Sequence, residues 1–346
     1  MNYIKGYDSL RAISISMVIY THMGMYELLT SLTPISDRVW RIIAGDTGVQ
    51  IFFTLSGFLI TSILLSEKQI HGTIRFRNFY ARRFLRLLPA LIIFYAILVP
   101  LMYFKLVPSS FWGLIYAFFY VYNFVPNSYF TLELSHMWSL ALEEQFYLTW
   151  PLIIYIFNQR KSLLIAALFI VVLCVVSYLV IQGTEIAATY RYNRWFIPGV
   201  GPIMIGSVFA ILKHGNASIW KRYFQADRWM PILAFTLFLF PIYCPIIFVV
   251  LSPLFQAMGV GLLLTWIHFN QDNRIVGYLE FKLLRYIGRI SYGLYVYQGI
   301  FLRTGPKGAS LDIQTFPLNL FLTFVVAILS FELIEKRVLR LKRFFR

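Results

Sequence analysis

Acidic residues are scarce in this chain: Asp and Glu together number 15, against 31 Lys and Arg. Charged residues of both signs make up only 13% of its 346 residues, where soluble domains average about 25%. With 59% hydrophobic and 18% aromatic residues, that shortage excludes a soluble globular domain. The net charge of +16 would suit nucleic acid, but no soluble portion remains to bind it, and anionic lipid at the inner leaflet accounts for most of the basic tail. Cysteine is almost absent. Cys174 and Cys244 both lie in apolar sequence, with neither metal-ligand spacing nor a disulfide framework, and read as inert core residues. No tandem repeat, low-complexity run or linker interrupts the chain, which reads as one domain over residues 1–346 with no soluble domain at either end.

What abounds is apolar sequence of membrane-spanning length, about 17–25 residues. Ten such stretches lie near 9–29, 47–66, 85–105, 137–158, 162–182, 195–213, 229–245, 246–268, 285–304 and 316–334. The first contains His22, lacks a small-residue cleavage site and is followed by further spans, so it reads as a retained helix and not a removable secretory signal. The Lys/Arg excess falls in four places: Lys68 to Arg86, Lys213 to Arg228, Lys282 to Arg289, and a tail from Lys336 to Arg346. Cytoplasmic connections carry such excess. Ten spans with both termini inside put all four there, along with Arg160 and Lys161. An eleventh apolar segment, 109–125, would invert everything after it if it crossed, so it is expected to be re-entrant or to lie at the outer surface. The expected fold is an all-α polytopic membrane protein of about ten transmembrane helices plus that re-entrant or interfacial segment.

Within that frame a few polar residues stand out, because ionisable groups in a bilayer cost roughly 3 kcal/mol or more. Arg11 and His22 share the first stretch. Eleven residues make about three helical turns, so both face one way, roughly 16 Å apart along the axis. Snorkelling of the arginine is the ordinary alternative. In Gly48–Ile60, Ser56 and Gly57 form a small-residue notch, which serves either close helix packing or a ligand chain. In Phe79–Pro89, Arg82 and Arg86 share a helical face beside Arg83. Guanidinium forks match phosphate geometry, so this cluster suits a phosphorylated ligand as well as a topology anchor.

In His136–Pro151, Ser139, Glu143 and Tyr147 recur every four residues as one polar stripe, and a carboxylate at that depth needs a partner. Arg191 and Arg194 precede the sixth stretch, where polysaccharide or anionic-lipid contact competes with plain interfacial anchoring. Tyr292, Tyr295 and Gln298 lie on one face of the ninth, in keeping with an interfacial tyrosine belt.

Taken in order, YDSLRAISISMVIYTH (Tyr7 to His22), GVQIFFTLSGFLI, FYARRFLRLLP, HMWSLALEEQFY, RYIGRISYGLYVYQ and SFELIEK (Ser330 to Lys336) resemble the membrane-bound acyltransferase-3 family, which O-acylates carbohydrates and other hydroxyl acceptors. The resemblance covers nearly the whole chain. It implies a ten-helix domain that takes an acyl group, usually acetyl, from coenzyme A on the cytoplasmic side and delivers it to an acceptor at the membrane or its outer face. The family's Arg-x10-His pattern falls on Arg11 and His22, its RxxR on Arg83 and Arg86, and its WSLxxE glutamate on Glu143. Gln298 stands where a histidine is common in the family, and Arg337 where a proline is. Some relatives carry an appended periplasmic hydrolase-like domain. The present residues show none, so the domain is expected to act alone or with a separate partner.

On this reading Arg11, Arg82, Arg83, Arg86 and Ser56 bind the acyl-CoA donor, while Trp138, Ser139 and Tyr147 contact the carbohydrate acceptor or the oxyanion. His22 is the general base, suited by an imidazole pKa near 6.5. Glu143 orients it if the first span and the span that carries Glu143 are neighbours, and an acyl-histidine intermediate is the competing mechanism. Acetyl on a bacterial surface polysaccharide such as O-antigen is the favoured pairing, with no metal. A transporter or flippase for a lipid-linked sugar or small acid is the rival class. It would show matched broken helices in the two halves, whereas the polar residues here cluster in the first half. A non-catalytic scaffold would tolerate loss of His22. Oligomeric state is left open.

Overall fold

A computed structural model describes residues 3–345 except 34, 36, 109, 158, 159, 183, 216, 227, 228, 244 and 304–308. Cys244, Arg228, Arg346 and Ser109, the first residue of the eleventh segment, therefore lie outside the described residues. Among the described residues the regular structure is helical, apart from one isolated antiparallel bridge between Pro126 and Tyr190. Each of the ten apolar stretches holds one long helix: α1 (Tyr7–His22), α2 (Gly45–His71), α3 (Phe76–Tyr103), α4 (Met137–Ile156), α5 (Arg160–Ile181), α6 (Gly201–Gly215), α7 (Trp229–Tyr243), α8 (Pro245–Phe269), α9 (Lys282–Phe301) and α10 (Leu318–Ser330). Five segments are long and apolar enough to cross a membrane by length and composition alone: Val39–His71, Phe76–Tyr103, Arg160–Ile181, Leu251–Phe269 and Leu318–Phe345. The other long helices are shorter or carry polar side chains inward. On α5, Ile165, Phe169, Val172 and Val180 are exposed. An outward apolar face of this kind is stable against lipid and not against water. The chain is an all-α polytopic membrane protein.

Helix ends follow local chemistry. The first apolar stretch does not run as one helix, because α1 stops at His22 and Gly24 adopts φ +76° before a second short helix, Met25–Leu32. His22 therefore sits at a helix end beside a cavity. The eleventh segment gives only an eight-residue helix, Phe111–Phe118, followed by two short 3-10 turns. At 1.5 Å per residue it is about 12 Å long and cannot cross a bilayer.

The basic connections gather at one end of the bundle. There Asp8 of α1 meets Arg289 of α9 at 4.0 Å, Lys68 of α2 donates to the Ile154 carbonyl of α4 (2.7 Å), and Arg160 of α5 to the Ile211 carbonyl of α6 (3.1 Å). α2 and α6 touch backbone to backbone. A Cβ on Gly57 would overlap the Ile203 carbonyl, and one on Gly206 the Thr54 carbonyl, so the glycine of the Ser56–Gly57 notch serves helix packing. α1 packs between α2 and α9. That arrangement decides what His22 meets.

Candidate active site

His22, at the C-terminal end of α1, has its ring Nδ1 2.5 Å from Gln298 Oε1 on α9. An amide oxygen only accepts, so this pairing corresponds to the tautomer with the proton on Nδ1 and the lone pair on Nε2. The ring lines a cavity of about 770 Å³ at the end of the bundle away from the basic connections. Asp46 and Gln50 of α2, His136 and Trp138 at the start of α4, and Arg191 and Arg194 from the loop before α6 share that wall. Trp138 stands edge-on to Phe53, with ring centroids 5.8 Å apart.

A second, narrower cavity of about 160 Å³ lies toward the basic end, lined by Arg11, Ser56, Arg83, Arg86, Glu143 and Tyr147 among others. Its polar groups are tightly held. Ser56 donates to Glu143 Oε1 at 2.5 Å and accepts from the Tyr147 hydroxyl at 3.1 Å. The Arg83 guanidinium lies 4.4 Å from the Tyr147 ring centroid, and Arg11 pairs with Asp8 at 2.9 Å. Val49, Phe53 and Tyr295 line both cavities, so the two stand back to back. At that partition the Tyr295 hydroxyl is hydrogen-bonded to the Ser139 hydroxyl, and the Tyr295 ring stands edge-on to His136 at 5.8 Å.

Most residues singled out from the sequence thus fall into two groups. His22 and Trp138 line the outer cavity; Arg11, Ser56, Arg83, Arg86, Glu143 and Tyr147 line the inner one, with Ser139 at its wall next to the partition. Three expectations change. Glu143 does not orient His22: α1 lies against α9, so Gln298 occupies that position, while Glu143 faces the inner cavity. Tyr147, expected on the acceptor, belongs with Glu143. Arg82 is not with Arg83 and Arg86; nearer the start of α3, it pairs with Glu67 at 3.0 Å and donates to the Phe345 carbonyl at 2.6 Å.

Sequence reasoning missed His136, Asp46 and the buried pair Glu133–Arg303. His136 had a readable signal, one residue before the Met-Trp-Ser run. Glu133 and Arg303 lie 2.8 Å apart with side chains 0% and 4% exposed. They come from connections distant in sequence, so no spacing announces them.

The chain belongs to the acyltransferase-3 family, whose model, described as an acyltransferase domain, matches residues 4–334. It is 28% identical over 375 residues to the peptidoglycan O-acetyltransferase OatA of Listeria monocytogenes serovar 1/2a, covering 96% of this chain and 55% of that protein. To YrhL of Bacillus subtilis strain 168 it is 29% identical over 364 residues, covering 97% of this chain and 55% of the relative. A Staphylococcus aureus strain COL protein matches at 36% over 165 residues, which is 44% of this chain and 25% of that protein. The chain therefore spans about half the length of the first two relatives. No solved structure matches it.

Proposed function

We propose that this chain is a membrane O-acetyltransferase that moves an acetyl group from cytoplasmic acetyl-CoA to a hydroxyl of a bacterial cell-surface carbohydrate. The observation that carries this reading is the pair of back-to-back cavities, one lined by arginines and the other by His22. Arg83 and Arg86 suit the polyphosphate head of coenzyme A, which needs fixed cations. Arg11 lies in the same cavity, on the helix that ends at His22. The narrow space past Ser56 and Ser139 suits the thin pantetheine arm and leads to the partition at Tyr295. The positive-inside rule makes the arginine end cytoplasmic, with both termini on that side.

In this mechanism the acceptor hydroxyl lies in the outer cavity, with Trp138 available to stack on a sugar ring. His22 Nε2 takes its proton as the oxygen attacks the thioester carbonyl. The oxyanion is met by the Tyr295 hydroxyl, which turns to it from Ser139 while Ser139 keeps its bond to the His136 carbonyl. Collapse breaks the carbon–sulfur bond, and the departing thiolate takes the proton from His22. Gln298 holds the imidazole in the tautomer the base requires. Glu143 acts at the inner cavity by fixing Ser56 and Tyr147.

The test is ester-linked acetate on purified surface polysaccharide and on peptidoglycan. Proton NMR before and after mild alkali is compared among cells lacking the gene, expressing it, or expressing His22→Ala at equal protein level. Alkali-labile acetyl that appears with wild type and vanishes with the variant is expected. Equal acetate in all three overturns the acceptor assignment.

A further inference from the structure

Arg191 and Arg194 are two of the polar residues of the outer cavity that acetyl transfer itself leaves unused. Arg191 precedes the 3-10 turn Tyr192–Arg194 and Arg194 ends it, and the Arg194 backbone N–H donates to the Arg191 carbonyl at 2.9 Å. The Pro126–Tyr190 bridge ties this turn to the loop ahead of α4, and the Asn127 side-chain oxygen accepts from Arg191 Nε at 3.5 Å. The guanidiniums are therefore placed, not trailing. Arg191 lies 3.8 Å from the centroid of the Phe130 ring and Arg194 4.9 Å from that of Trp138.

Two carboxylates share the cavity, Glu27 and Asp46, yet among the described residues none lies within 4 Å of either arginine. Burial, then the neighbouring Arg191, hold the Arg194 pKa down to about 10, with a smaller opposing pull from Asp46. Two cations are thus fixed against aromatic faces, in the cavity that holds His22, with no close counter-charge. A bound anion relieves that repulsion, and an aromatic face beside a guanidinium suits a sugar ring carrying an acid group.

We infer that the acceptor is an anionic carbohydrate, whose carboxylate or phosphate is held by Arg191 and Arg194 while its hydroxyl is presented to His22. The inference rests on the acyltransferase reading and deepens it by naming the substrate class. A bare lipid headgroup fits less well, because Arg194 stands over Trp138 within the cavity that contains the base.

The test is equilibrium binding to the purified full chain in nanodiscs, at low and high salt. The probes are a β-1,4-linked glucose hexamer, the matching glucuronate hexamer, and glucose linked to polyprenyl phosphate. At least one anionic probe is expected to bind about tenfold or more tighter than the neutral hexamer, as charge-assisted hydrogen bonds to a guanidinium warrant. The advantage shrinks with salt and is lost in Arg191→Gln/Arg194→Gln, whose acetyl-CoA binding is retained. Preference for the glucuronate assigns the anion to the sugar; preference for the polyprenyl-linked glucose alone assigns it to the linking phosphate. Equal binding of all three, no binding of any, or a preference that survives the double substitution overturns the inference. Acetyl-CoA turnover by the same preparation is measured separately, so failure of the acyltransferase reading is distinguished from failure of this one.

Discussion

Replacing His22 with alanine lowers acetyl transfer by about 10²–10⁴-fold, the usual worth of a positioned general base, while acetyl-CoA affinity stays within about twofold. The two effects separate because His22 lines the outer cavity, whereas Arg83 and Arg86 line the inner one. His22→Gln gives a similar loss: it restores a hydrogen-bonding side chain but no basic nitrogen. Initial rates with labelled acetyl-CoA, alongside a direct binding measurement, check the split. An equal collapse of donor affinity would mean that His22 supports the donor site or the fold and is not the base. Loss of Gln298 acts through the imidazole. Gln298→Leu leaves the ring in place without its Nδ1 acceptor, so turnover falls while donor affinity does not, and by less than in His22→Ala.

The second large effect is on stability. Arg303→Met destabilises the protein by about 3–5 kcal/mol, the cost of breaking a buried ion pair by removing one partner. Glu133 is fully buried and Arg303 nearly so, at 2.8 Å. Removing the cation leaves a carboxylate without its ionic partner in a medium that solvates it poorly. The pair joins the end of α9 to the loop that carries His136 into α4, so the outer cavity loosens along with the fold. Thermal unfolding in detergent is expected to show a clear drop. The double change Glu133→Gln/Arg303→Met recovers much of it, since replacing both partners removes the stranded charge. A single variant as stable as wild type would mean that the pair is solvated and structurally idle.

The long helices were legible because each lies in a long apolar run, most of them set off by charge, and all ten runs contain a helix. The break after His22 was harder to read. Only Gly24 marks it, and a lone glycine inside an apolar pattern is equally a tolerated helix residue. Helical spacing placed Arg11, Glu143 and Tyr147 on inward faces, but a face is not a neighbour. Which helix lies against α1 is a packing result, so Gln298 could not be preferred over Glu143 as the group beside His22. Arg82 illustrates the same limit. It shares a face with Arg86, as periodicity requires, yet one turn of difference brings it to Glu67 and the C-terminal tail. The Glu133–Arg303 pair left no trace in the sequence, because charges in connections between spans read as ordinary solvated loop.

The central claim is that donor and acceptor meet from opposite faces of one bundle. Proteoliposomes with the chain in a single orientation test it directly, with labelled acetyl-CoA supplied only on the arginine face and carbohydrate acceptor only on the His22 face. The account predicts alkali-labile label on the carbohydrate and coenzyme A released on the arginine face. Label transfer only when both substrates share one face would contradict it.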